Sequence, residues 1–132
     1  MLKKYLARPG IWLVRVVCVC SWVVVTALLL VPDPSALVGM RRVPLSGYST
    51  PAHIGSFILL SVLTLASRLP LNMTAALAVL VSYGAVVELL QWFVPRRTVS
   101  FGDFVANALG IAVGAGAYAV AERYRRRRIL KS

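Results

Sequence analysis

Hydrophobic residues in this chain fall into four long blocks, separated by short segments that are polar or contain proline. The blocks cover about residues 11–31, 51–69, 73–94 and 103–121. Runs of roughly 20 apolar residues are typical of helices that cross a bilayer. The pattern therefore predicts an all-α, polytopic membrane protein with four transmembrane helices. Because the blocks leave almost nothing for a separate soluble domain, we expect residues 1–132 to form one transmembrane domain.

Capping residues and prolines predict where the second helix begins and where the third helix begins and ends. Ser49-Thr50-Pro51 is typical of a helix start, because a hydroxyl residue caps the helix and proline suits its first turn. Asn72 or Thr74 is predicted to cap the third helix. The loop before it is short, so the second and third helices should be antiparallel neighbours. Pro95 disfavours helix at the residue before it and closes the third block.

The composition supports a membrane protein. Hydrophobic residues make up 59% of the chain and charged residues only 14%, and the mean hydropathy is +0.79. A soluble domain usually carries about 25% charged residues.

The net charge of +11 would suggest nucleic-acid binding in a soluble protein, but its distribution favours a membrane role. Ten positive charges fall on the side of the predicted termini and four on the opposite side, namely Arg41, Arg42, Arg96 and Arg97. The positive-inside rule then places both termini in the cytoplasm. We expect the C-terminal ERYRRRRILKS to contact anionic membrane lipids, and we do not expect nucleic acid as a partner.

A few polar residues interrupt the second, third and fourth blocks. His53 lies near the start of the second helix, Glu88 and Gln91 are one turn apart on the third, and Asp103 and Asn107 are one turn apart on the fourth. Glu88 is predicted to lie about seven residues, or ~10 Å, below the outer end of its helix. An ionised carboxylate in the bilayer is costly, so ionisable residues inside spans indicate function by default. We expect these side chains to line one polar site at the outer face.

Structural roles remain as alternatives for several of these residues. Glu88 could hydrogen-bond neighbouring helices together, and Ser100-x-x-Asp103 before an apolar run is also a capping-box pattern. Capping does not explain Asn107, which lies one turn deeper on the same face. Gly110 and Gly114 form a small-xxx-small pattern, which is typical of a close helix contact and could join two copies in a homo-oligomer.

The predicted site could hold a phosphate-bearing amphiphile with many hydroxyl groups. Arg97 and the N-terminal ends of the second and fourth helices would attract an anion. The carboxylates below them could accept hydrogen bonds from hydroxyls or amines. An envelope lipid carrier, or its sugar-linked form, fits this description. The predicted ligand-binding residues are Gln91, Arg97, Ser100 and Asn107.

The same site allows acid–base chemistry, and the sequence leaves open whether the protein is an enzyme. If it is, His53, Glu88 and Asp103 are the predicted catalytic residues, since carboxylates in low dielectric suit proton transfer near neutral pH. HxxxH, HExxH and CxxC spacings are absent from the sequence, so we predict no metal site. The sequence also lacks a glycine-rich phosphate loop, and no cofactor is expected.

The order of these residues resembles the VanZ-like family of small bacterial membrane proteins. The resemblance follows the pattern ELLQ…R…S..D…N..G…G, in which the matching residues are Glu88, Gln91, Arg97, Ser100, Asp103, Asn107, Gly110 and Gly114. His53 in PAHIGSFILL also fits, and the resemblance extends from about residue 49 to 117. This chain has Ser49-Thr50 where members often carry Asp-Lys, so no lysine is carried over to the site.

The resemblance implies a multi-pass protein of the bacterial cytoplasmic (inner) membrane that acts on the cell envelope. The family takes its name from an accessory protein of glycopeptide resistance that lowers sensitivity to teicoplanin, and relatives have envelope and exopolysaccharide functions. The resemblance does not imply a particular reaction. We expect a protein that binds or modifies an envelope amphiphile. The alternatives are an acid–base enzyme acting on a lipid-linked substrate, or a scaffold that docks envelope proteins through Gly110 and Gly114.

Overall fold

In a computed structural model of the chain, the structure describes residues 9–32, 49–95 and 100–130. These residues are all-helical and form four α-helices that pack as one bundle. The helices are α1 (Pro9–Leu30), α2 (Ser49–Ala66), α3 (Met73–Gln91) and α4 (Phe101–Ile129). The prediction of an all-α fold is confirmed.

Three of the four helices are long and apolar enough to cross a membrane. These segments are Gly10–Leu30, Met73–Gln91 and Phe101–Ile129. The apolar part of α2, Thr50–Ala66, is shorter. Its length of about 26 Å, at 1.5 Å per residue, is slightly less than a typical hydrocarbon core of about 30 Å. The predicted number of helices is confirmed, and three of the four are long and apolar enough to cross a membrane.

The ends of α3 differ in how well the sequence predicts them. Asn72 caps its start, since the side-chain Oδ1 accepts a hydrogen bond of 2.7 Å from the backbone N–H of Ala75. The helix ends at Gln91 and not near Val94. Because Glu88 then lies only one turn from the end of α3, its burial comes from the neighbouring helices and not from depth along its own helix.

α2 packs most extensively against α4, and two glycines bring these helices together. A Cβ atom at Gly110 would lie 2.6 Å from the carbonyl oxygen of Ile54, and one at Gly114 would lie 2.7 Å from that of Ile58. Only glycine allows this approach of backbone to backbone. The close helix contact predicted from the glycine spacing is present, and it lies within one chain. The face predicted to join two copies is covered by α2.

Apolar side chains fill the interior and also cover much of the exterior. The core cluster contains Val25, Leu29, Phe57, Leu60, Leu80, Val87 and Ile111. Large exposed side chains on α1 include Trp12, Leu13, Val16, Val19 and Val23. An exposed apolar surface of this extent is unusual for a soluble protein and suits contact with lipid.

Charged residues tie the helices together at the end of the bundle where α2 finishes. Arg15 of α1 donates hydrogen bonds to the backbone oxygens of Ser67 (3.2 Å) and Arg68 (3.3 Å), which follow α2 directly. Arg68 also lies 3.6 Å from Glu122 of α4. Helix α4 continues through the basic segment to Ile129, well beyond residue 121, the predicted end of the fourth span. The cationic tail is thus a helical extension of the bundle.

Candidate functional site

His53, Asn107 and Glu88 form a hydrogen-bonded chain across three helices at the opposite end of the bundle. Nδ1 of His53 on α2 lies 2.8 Å from Oδ1 of Asn107 on α4 and 3.4 Å from Oε1 of Glu88 on α3. Nδ2 of Asn107 donates to the same Glu88 oxygen over 3.3 Å. We call these three residues the polar cluster. The structure therefore brings together three residues that the sequence places on separate helices.

The polar cluster is almost completely buried. The exposed fractions of His53, Asn107 and Glu88 are 1%, 2% and 4%. Gly84 makes room for it, since a Cβ atom there would meet the Phe57 ring at 3.3 Å and Cβ of Asn107 at 3.4 Å. The cluster is thus a packed polar network, whereas the sequence suggests side chains lining an open site.

Asp103 and Thr50 extend the polar cluster towards the surface. The hydroxyl of Thr50, on the first turn of α2, donates to Oδ1 of Asp103 over 3.2 Å. Asp103 lies close enough to the Glu88 carboxyl to interact with it electrostatically. Asp103 is buried, whereas Thr50 is exposed. The Thr50–Asp103 pair is therefore the edge at which the network meets its surroundings.

Two buried atoms of the polar cluster have no hydrogen-bond partner among the described residues. They are Nε2 of His53 and Oε2 of Glu88. Leaving a buried polar atom unpaired costs about 1–3 kcal/mol, so most such atoms in proteins are satisfied. These two atoms, on adjoining residues, are hydrogen-bonding groups that the cluster itself does not satisfy.

Comparison with known proteins identifies the family. The VanZ/LLP1 family model matches residues 16–122. The chain belongs to the VanZ-like family. The match includes every residue of the polar cluster and of its Thr50–Asp103 edge. No curated protein and no solved structure was found to be similar to this VanZ-like protein.

The remaining predicted site residues of this VanZ-like protein are placed differently. Gln91 is buried, and its Nε2 donates to the backbone oxygen of Leu29 over 2.8 Å, so its amide nitrogen connects α3 to the last turn of α1. Ser100 is the N-cap residue of α4, but its side chain makes no capping hydrogen bond. Its backbone oxygen accepts the N–H of Asp103 at 3.0 Å. Arg97 lies outside the described residues.

Sequence reasoning misses the contact that Thr50 makes with the site. The sequence pattern identifies Thr50 only as part of a helix start, although Thr50 and His53 are three residues apart and share one face of α2. That spacing is the available signal. A hydroxyl residue in the first turn of a helix serves equally well as a cap or as a donor to a neighbouring helix.

The arrangement offers hydrogen-bonding and proton-exchanging groups. Among residues 9–32, 49–95 and 100–130, no group of three or more His, Cys, Asp or Glu side chains is placed to hold a metal ion. A histidine beside a carboxylate in a dry environment can accept, donate or relay a proton. The polar cluster is thus suited to binding hydroxyl or amine groups and to acid–base chemistry.

Proposed function

We propose that this VanZ-like protein binds the polar head group of an envelope amphiphile at the outer face of the bacterial cytoplasmic membrane. In this proposal all four helices cross the membrane, and both termini lie in the cytoplasm. The excess of positive charge near the termini supports that orientation. The orientation puts the polar cluster in the outer part of the membrane, where an amphiphile can bring a head group to it.

The observation that carries the proposal is the buried His53–Asn107–Glu88 chain with two unpaired atoms. Polar groups inside membrane proteins are costly and generally mark ligand or ion sites. A purely structural link between helices would be expected to satisfy all of its own atoms. A ligand hydroxyl or amine would supply the missing partners.

In the proposal, phosphate is recognised at the surface edge of the site, beside the Thr50–Asp103 pair, which we call the entrance. The first turns of α2 and α4 meet here, as the Thr50–Asp103 hydrogen bond shows. Helix N-termini carry partial positive charge and favour anions. In the proposal Arg97 adds a guanidinium for the phosphate. The ligand class is therefore a polyprenyl phosphate or a lipid-linked glycan.

A cellular role follows from this ligand class. A protein that holds a lipid-linked envelope intermediate could change its exposure to glycopeptide antibiotics such as teicoplanin, or its supply for exopolysaccharide production. Family membership supports this proposal.

A second candidate function is a membrane-embedded acid–base enzyme that acts on a lipid-linked substrate. The observation that favours it is the 3.4 Å approach of the His53 ring to the Glu88 carboxylate. A non-catalytic scaffold that uses Gly110 and Gly114 has less support, since α2 of the same chain covers both glycines.

A binding and turnover experiment tests the proposed function. We expect the purified protein in phosphocholine detergent to bind polyprenyl phosphate and its glucosyl ester. Binding of the glucosyl ester should weaken about tenfold or more in each of the variants His53→Ala, Glu88→Gln and Asp103→Asn. Native mass spectrometry measures the bound lipid, and product analysis measures turnover. Ser82→Ala is the matched control, because Ser82 is an exposed hydroxyl residue on the same helix as Glu88.

Each outcome favours one conclusion about the site. Wild-type affinity in all three variants would show that the polar cluster is not the binding site. Turnover that His53→Ala abolishes would favour the enzyme over the binding protein.

A further inference from the structure

The hydrogen bonds of the polar cluster determine which nitrogen of His53 carries a proton. Nδ1 faces two oxygens, Oδ1 of Asn107 at 2.8 Å and Oε1 of Glu88 at 3.4 Å. The orientation of the Asn107 amide is set by its other end, where Nδ2 donates to Glu88 over 3.3 Å. An amide oxygen only accepts hydrogen bonds. With the Asn107 amide in this orientation, Nδ1 is the nitrogen that carries the proton.

Once Nδ1 holds its proton, Nε2 is the nitrogen left for a ligand. In a neutral imidazole with hydrogen on Nδ1, Nε2 carries a lone pair and accepts hydrogen bonds. Nε2 is buried and has no partner among the described residues, as is also true of Oε2 of Glu88.

The surroundings favour a neutral donor over an anion at Nε2. Glu88 lies beside the ring, with Oε1 3.4 Å from Nδ1. A phosphate placed beside this buried carboxylate would be repelled, whereas a hydroxyl would donate a hydrogen bond to Nε2. The buried end of the site thus differs in chemistry from its phosphate-attracting entrance.

We propose that His53 contacts the ligand directly, with Nε2 accepting a hydrogen bond from a hydroxyl of the head group, and that Asn107 and Glu88 are positioning residues that hold the ring with its proton on Nδ1. This inference rests on the proposed function and names the part of the ligand that the polar cluster recognises. It assigns sugar hydroxyls to His53 and leaves the phosphate at the entrance.

Nitrogen NMR tests the proposal, because His53 is the only histidine of the chain. Protein labelled with ¹⁵N-histidine should show one ring, protonated at Nδ1 and unprotonated at Nε2 at neutral pH. Addition of the glucosyl ester of polyprenyl phosphate should shift the Nε2 resonance. Polyprenyl phosphate itself, which lacks the sugar hydroxyls, should leave it unchanged.

Variants of Asn107 distinguish a role in orienting the His53 ring from a role in folding. Asn107→Leu removes the closer acceptor and should produce a detectable fraction of the other tautomer. Circular dichroism confirms that each variant remains helical. Ser82→Ala should leave the spectrum unchanged. An unchanged tautomer in a folded Asn107→Leu would overturn the positioning role of Asn107.

The failures of the two proposals can be told apart. A proton on Nε2 in the ligand-free protein overturns this inference, as does binding of the glucosyl ester without any change at Nε2. In both cases binding itself would still support the proposed function. Absence of binding by both lipids would overturn the proposed function and, with it, the ligand contact.

Discussion

The polar cluster is held together by hydrogen bonds in which each residue provides a donor or an acceptor for a neighbour. Asn107 is both a donor and an acceptor: its Nδ2 donates to Glu88, and its Oδ1 accepts from His53. If one residue is removed, its partners keep buried polar atoms without a hydrogen bond, which lowers the free energy of unfolding. Asn107 is therefore the residue that connects the cluster, a role that neither ionisable residue can take alone.

Replacement of Asn107 by leucine should destabilise the protein. We expect the free energy of unfolding to fall by about 1–2 kcal/mol, because Glu88 loses a donor and His53 loses its closer acceptor. Denaturant titration in detergent, followed by circular dichroism, measures the change. The exposed control Ser82→Ala should be neutral. Equal stability of the two variants would show that the network contributes nothing to folding.

At the level of helices, the α2–α4 contact determines whether the polar cluster exists. α2 carries His53 and Thr50, and α4 carries Asn107 and Asp103. Hydrogen bonds of about 3 Å across this interface require the two backbones to be very close. Gly110 and Gly114 permit that distance, so residues with no chemistry of their own control the geometry of the site.

Alanine at either glycine should separate the two helices. At Gly110 the new methyl group would meet a backbone oxygen at 2.6 Å and at Gly114 at 2.7 Å, so we expect losses of about 1–3 kcal/mol in the free energy of unfolding. Denaturant titration in detergent measures the loss. Ligand binding should weaken as well, since the cluster is pulled apart.

Gly116→Ala is the matched control for both glycine variants. Gly116 lies on the same helix, and a Cβ atom added there would meet nothing within 4 Å. The substitution should be neutral or stabilise the protein by up to about 1 kcal/mol, since alanine favours a helix over glycine. If all three alanine variants had the same stability, the close approach would not matter.

At the level of the whole molecule, the apolar exterior and the cationic tail define how the bundle meets its surroundings. In the part of the chain that the structure describes, many large exposed side chains are apolar, while Arg123 and Arg125–Arg128 extend α4 beyond its apolar part. Basic segments next to a span are attracted to anionic lipid head groups. The charge distribution predicts that this end faces the cytoplasm and that the polar cluster faces outwards.

Cysteine labelling tests that orientation. In a background with Cys18→Ala and Cys20→Ala, a membrane-impermeant maleimide should label Gly102→Cys in intact cells. It should label Ser132→Cys only after permeabilisation. The cysteine-free background gives the blank. Labelling of position 132 from outside would reverse the topology and move the site to the cytoplasm.

The predictability of each feature depends on the range of its interactions. The four blocks, the Asn72 cap and the glycine spacing are local patterns, and each predicts the right element or contact. The apolar pattern places the end of α3 too late, because the chain stops being helical at Gln91 although the sequence stays apolar. The spacing of Gln91 one turn from Glu88 predicts a ligand contact for Gln91, whereas its amide nitrogen donates to the backbone oxygen of Leu29, more than sixty residues earlier in the chain.

The order of the residues is enough to predict an all-helical protein with long apolar helices and the polar residue set of the VanZ-like family. Run length, helical period and charge are properties of neighbouring residues, so they can be read without coordinates. The packing of the helices adds that Asn107 joins His53 to Glu88 and that Thr50 donates to Asp103. It also leaves Nε2 of His53 without a partner among the described residues. Those contacts depend on how closely α2 and α4 approach, and differences below about 1 Å decide whether a hydrogen bond forms.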